Sequence, residues 1–177
     1  MKTIARLGIL AALTTSLFAV AVDAQAGGRA HARGSVANPE GGRTGGAVTA
    51  VKGPEGGAAV RGRAYTTDGA GNGTAASGGA FKTATGATGA RASTTTRNAD
   101  GSASHQGGFT ATGAKGTVDS SGNVTKGADG SVNGSRTTTA TGANGTTYNG
   151  STTYSKDTGV QHTGTCTDAA GNTVACR

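Results

Sequence analysis

Beyond residue 26 no window of the chain shows apolar residues at helical spacing, and glycine is dense throughout. Both features oppose helix and favour extended chain. The alternation is clearest near the C-terminus. Across residues 146–155, Thr146, Tyr148, Gly150, Thr152 and Tyr154 share one face of a strand, and Thr147, Asn149, Ser151, Thr153 and Ser155 share the other. Upstream, residues 46–51 and 58–60 read as short Ala/Val strands, and from Tyr65 onward the strands become threonine-rich. Threonine is β-branched and prefers extended backbone.

Turns punctuate these strands with a fixed phase. Gly41, Gly56, Gly71, Gly86, Gly101 and Gly116 follow one another every 15 residues. Gly130, Gly145 and Gly159 continue at steps of 14, 15 and 14, and Gly171 stands 12 further on. Pro39-Glu40-Gly41, Pro54-Glu55-Gly56, Asp100-Gly101 and Asn144-Gly145 are turn sequences. A fixed period with a turn at each node predicts a repeat architecture. The expectation is an all-β, Gly/Thr-rich antiparallel meander of roughly nine strands built from 15-residue repeats, with a β-solenoid of 15-residue coils as the alternative. A second glycine inside most repeats (Gly107, Gly122, Gly134, Gly150, Gly164) marks a strand kink or a second corner.

Composition removes the conventional alternatives. Residues 1–26 read as a secretory signal: Lys2 and Arg6, a short apolar run from Leu7 to Val22, and the small-residue site Ala24-Gln25-Ala26. After them the chain has no Leu, Ile, Met or Trp, so one packed core is not expected. Nor does any later apolar stretch suffice to span a membrane. Residues 27–64, with their two Pro-Glu-Gly-Gly units, read as a weakly ordered lead-in, and residues 65–177 as the β-repeat region.

Two cysteines in a secreted chain, ten apart across a turn, predict a disulfide between Cys166 and Cys176. Under the chain-entropy model it contributes roughly 3 kcal/mol. If Asp157-Thr158-Gly159 and Ala170-Gly171-Asn172 are three-residue loops, counting outward sets Tyr154 against His162, Thr152 against Gly164, Gly150 against Cys166, and Cys166 against Cys176.

Charge adds one candidate surface. Without Lys2, Arg6 and Asp23 the chain carries 14 basic and 8 acidic residues, and six of the basic ones lie in residues 27–64. Arg29, Arg33, Arg43, Lys52, Arg61 and Arg63 are the candidate contacts to a polyanion. The aspartates sit in turn-like clusters, where side-chain-to-backbone bonding explains them. Histidine and cysteine lack metal spacing, and no nucleophile–base arrangement or phosphate loop stands out. No cofactor, metal or catalytic residue is therefore expected.

Counting from the glycine ladder, Thr95, Thr110, Thr125 and Thr139 fall nine residues on, and Lys52, Lys82, Arg97 and Lys156 eleven on. In a solenoid such positions would form stripes. A flat threonine array resembles the ice-binding face of repetitive antifreeze proteins, although a Thr-x-Thr in every coil is missing. The Gly/Ser/Thr/Asn-rich strand-turn repeats resemble curli-type subunits, without their Gln and Asn ladder. The expected role is a secreted bacterial envelope or matrix protein without catalytic activity that self-associates through sheet edges. The alternatives are a binder of anionic polysaccharide or an envelope surface, with no specific nucleic-acid partner, and an ice-binding protein.

Overall fold

A computed structural model describes residues 27–176; the signal reading falls outside them. Eleven strands follow one another: β1 (Gly28–Ala37), β2 (Arg43–Lys52), β3 (Ala58–Thr67), β4 (Gly73–Lys82), β5 (Thr88–Arg97), β6 (Ala103–Gly113), β7 (Gly116–Lys126), β8 (Val132–Gly142), β9 (Thr147–Ser155), β10 (Gly159–Thr167) and β11 (Thr173–Val174). They form one antiparallel sheet whose spatial order is the sequence order. The meander is therefore as expected, with eleven strands in place of nine. Every connection reverses direction, so the solenoid alternative is not what forms.

The glycine ladder explains the reversals. All ten ladder glycines have positive φ, between +67° and +129°. In the β1–β2 hairpin, Asn38 N–H donates to Gly42 O at 2.8 Å and Gly41 N–H to Asn38 O at 3.1 Å. This closes a three-residue loop with glycine last, in the left-handed region that L side chains avoid. The same pair of bonds recurs around Gly56, Gly86, Gly101, Gly130, Gly145 and Gly171. Aspartates reinforce several turns. Asp68 Oδ1 accepts from Ala70 N–H at 2.9 Å, Asp100 from Ser102 N–H at 2.8 Å, Asp129 from Ser131 N–H at 2.9 Å and Asp168 from Asn172 N–H at 2.8 Å.

The basic segment 27–64 lies within this sheet, as β1, β2 and the first part of β3. The two strands expected there are longer than 46–51 and 58–60, and a boundary after residue 64 falls inside β3. Gly107 pairs with Gly122 and Gly150 with Gly164, so the second glycines are mid-strand positions and not corners.

Two corrections apply to the C-terminal hairpins. Ser155 pairs with Gly159, which sets Tyr154 against Val160, Thr152 against His162, Gly150 against Gly164 and Tyr148 against Cys166. The register is shifted by two residues from the expected one. The Ser155 hydroxyl is the cause: it accepts Thr158 N–H at 3.0 Å and closes the turn one residue early. At the next turn Gly171 is the last loop residue and not the middle one, so Cys166 pairs with Val174. Because both shifts are even, the face assignment survives: Tyr148, Tyr154 and Cys166 share one face. Cys166 and Cys176 stand at disulfide-bonding distance with Cα atoms 5.3 Å apart, diagonal across the ladder and not directly opposite.

The sheet is a single layer. Cys166 is the one buried hydrophobic side chain among the described residues, and Thr49 and Ser120 are the buried polar ones. Both faces are open, and the function of the chain must be read from what each face displays.

Candidate anion-binding face

Cross-strand pairing carries side-chain parity from one strand to the next, so the register sorts every strand residue onto one of two faces. Arg29, Arg33, Arg43, Arg61, Arg63, Arg91, Arg97 and Arg136 all fall on one of them, here face A. So do Phe81, Phe109, Tyr65, Tyr148 and Tyr154, and all three histidines. No strand carboxylate stands on face A: the acidic residues occupy turns, except Asp119, which is on face B. Nine cations, counting Lys126, therefore share one side of the sheet with no opposite charge between them.

The structure brings together five of the six basic residues singled out from sequence. Lys52 is the exception: it pairs with Gly28 and Ala58 on face B, at the end of its strand. The density of charge in residues 27–64 does not point to Arg91, Arg97 and Arg136, which lie outside that segment. Parity across the hairpins was the signal that finds them.

A groove runs across the strands on face A. Its floor is the row Ala47, Arg63, Ser77, Ser93, Gly107 and Gly122, residues that face one another from β2 to β7. At one end it opens into a depression of about 720 Å³ lined by Arg33, Arg63, Tyr65, Ser77, Ser93 and Thr95. The next depression, about 470 Å³, shares Ser77 and Ser93 and adds Arg91, His105, Phe109 and Arg136. From β1 to β8 the row spans roughly 34 Å at a strand spacing of ~4.8 Å.

Several of these groups are held in place. Arg136 Nε donates to Ser120 Oγ at 2.9 Å and its guanidinium lies 5.9 Å from the Phe109 ring centre. Ser120, only 2 % exposed, also bonds Thr137 O and Thr138 Oγ1. His105 Nδ1 bonds Thr95 Oγ1 at 2.8 Å, His31 Nδ1 bonds Thr49 Oγ1 at 2.9 Å, and Arg43 donates to Ser35 Oγ at 3.0 Å. The Tyr65, Phe81 and Tyr148 rings lie over glycines. A Cβ at Gly89 would collide with the Phe81 ring, and one at Gly45 would lie 2.8 Å from Tyr65 Oη. Covering a glycine shields exposed sheet backbone and leaves the outer ring face free. Tyr65, over Gly45, is accordingly 39 % exposed.

His162 does not pair with Tyr154. It bonds Thr152 Oγ1 at 2.8 Å and Tyr148 Oη at 3.1 Å, while the Tyr148 ring covers Gly150 and Gly164. The small residue at 150 thus makes room for an aromatic ring and not for the cysteine pair.

The stripes expected for a solenoid do not form. A meander inverts at every turn, so a constant offset from the glycine alternates between the two ends of the sheet. Thr95 lies on face A while Thr110, Thr125 and Thr139 lie on face B, where Thr110 and Thr139 flank Asp119 in one row and Thr125 stands in another. Lys52 and Lys82 are on face B, Arg97 is on face A and Lys156 is in a turn. A different row does form. Thr88, Thr112, Thr117, Thr141, Thr147, Thr167 and Thr173 face one another in sequence across β5 to β11 on face B.

No family model, curated protein or solved structure matches the chain.

Proposed function

We propose that the chain is a secreted, non-catalytic structural protein of a bacterial envelope or extracellular matrix that holds an anionic polysaccharide on face A. The observation that carries this reading is the sidedness of the charge: every described arginine on one face, with no strand carboxylate among them. A flexible polyanion meets such a face without paying for a like-charge contact anywhere along the groove. Guanidinium groups bind carboxylate and sulfate in a planar fork. Ser77, Ser93 and Thr95 in the groove offer hydroxyls to sugar hydroxyls, and the exposed Tyr65 ring offers apolar surface to a pyranose ring. The disulfide-distance cysteine pair is compatible with an oxidising compartment.

The test is binding of the purified mature chain to polygalacturonate and heparin, with neutral dextran as control, across a salt series. Binding to both polyanions that weakens steeply with salt is expected, with none to dextran. Arg63→Glu and Arg91→Glu should each weaken it, whereas Lys52→Glu, on the other face, should not. Equal loss for Lys52→Glu would mean that net charge alone is at work and would defeat the reading.

A further inference from the structure

We propose that face B of β1–β5 packs against the same face of a second copy of this chain. That area differs from the rest of the sheet. Ala30, Ala50, Val60, Ala80 and Ala90 face one another in an unbroken row across the five strands. The neighbouring row is Ala32, Val48, Gly62, Gly78 and Ala92. Its only charges are Lys52 and Lys82, both at strand ends, where long stems reach past an interface to water. On β6–β10 the same face is covered by Thr, Ser, Asn and Gln, with Asp119 among them.

Three arguments identify the occupant as a second copy. The first is charge. The other side of β1–β5 carries seven arginines, so two copies cannot close through face A without setting like charges together. Pairing through the open edge of β1 brings Arg29, His31 and Arg33 against their counterparts. Face B of β1–β5 has no such penalty.

The second is shape. The backbone glycines Gly62 and Gly78 sink the middle row below its neighbours, in a trough of about 560 Å³ lined on these strands by Val48, Val60, Ala64, Ala76 and Ala80 and running on to Thr110 and Asp119 of β6 and β7. The flanking row of alanines and Val60 stands one residue pair away, so a copy shifted by one row sets its ridge into the trough. Under a two-fold axis the fit is reciprocal, as an isologous contact requires.

The third is area. Five strands at ~4.8 Å and ten residues at ~3.4 Å make a face of roughly 800 Å² in plan. A stable interface buries about 800 Å² on each partner. Pairing also supplies the second layer that a one-layer sheet lacks, and it leaves both arginine faces outward.

The test begins with the mass of the mature chain in solution by light scattering, where a dimer is expected. Ala76→Glu should halve that mass, and Ser77→Glu, the adjacent residue on face A, should leave it unchanged. Hydroxyl-radical footprinting of the unmodified chain keeps the question open to refutation if Ala76→Glu fails to fold. Val48 and Val60 should be labelled several-fold more slowly than Val51, which lies on face A of the same strand as Val48. A monomeric wild-type chain, a dimer that survives Ala76→Glu in a folded variant, or equal labelling of Val48 and Val51 would each overturn the proposal.

Discussion

At the scale of single residues the fold depends on two kinds of turn position. The first is the ladder glycine. At Gly101, with φ of +84°, a Cβ would have nothing within 4 Å, so a substitution there meets no steric obstacle but does meet backbone strain. Gly101→Ala should cost about 1–2 kcal/mol, the usual penalty of the left-handed region, and Gly101→Asn should cost less. Thermal melting of the two variants checks this; equal melting would mean the turn can adopt another form. The second is the turn aspartate. The Asp68 carboxyl is held below its ordinary value chiefly by the Asn72 side chain, Asp100 by the Ser102 side chain, Asp129 by the Ser131 side chain, and Asp168 by the Asn172 side chain. The folded state therefore favours the ionised form. The stabilisation is fully present above the ordinary aspartate value of 3.8 and is lost as pH falls through and below it. Carboxyl titration by NMR should show these four below the range of an unstructured aspartate. Values at or above that range would remove the turn bonds from the account.

At the scale of elements, hairpin chemistry was legible in the sequence because it is local. A turn with a positive-φ glycine could be read from Pro-Glu-Gly and Asp-Gly, and the structure closes it as a three-residue loop with glycine last around seven of the ten ladder glycines. Register at β9–β10 was not legible, since the Ser155 hydroxyl decides it, and serine carries no such mark among so many serines and threonines. The even shift preserved the faces but changed the neighbours. Gly150→Val is still expected to destabilise the C-terminal hairpins more than Asn149→Val, for a new reason. A side chain at position 150 would collide with the Tyr148 ring, displacing it from Gly164 and from His162. The expected loss is about 1–3 kcal/mol, in the range of overpacking. Asn149 is on the opposite face, where its replacement removes a 2.9 Å bond from Thr139 and little else. Melting with the cysteine pair oxidised should rank the two. A larger loss at 149 would mean that the Tyr148 cover is not what the glycines serve.

At the scale of the whole molecule, the face-wide sorting of charge was invisible to a reading by segment. It emerges only when parity is carried through ten hairpins. The same chain of pairings sets how stability is distributed. Packing contacts concentrate between strands adjacent in sequence, from β1–β2 through β9–β10, with few between β10 and β11. A sheet of this kind approaches a one-dimensional array, where a strand is held by its own pairing and its immediate neighbours. The cysteine pair ties the chain after β11 back to β10, at the far end from β1. Its removal should therefore act locally. Reduction is expected to speed amide exchange in β10 and β11, to speed it less in β9, and to leave β5–β7 unchanged, read by hydrogen exchange with mass or NMR detection. The local response follows because the tether closes a loop of only ten residues, whose entropy bears on the last hairpin alone. Exchange that accelerated equally in β1 and β10 would mean that the eleven strands unfold as one cooperative unit, and the picture of a sheet held strand by strand would have to be abandoned.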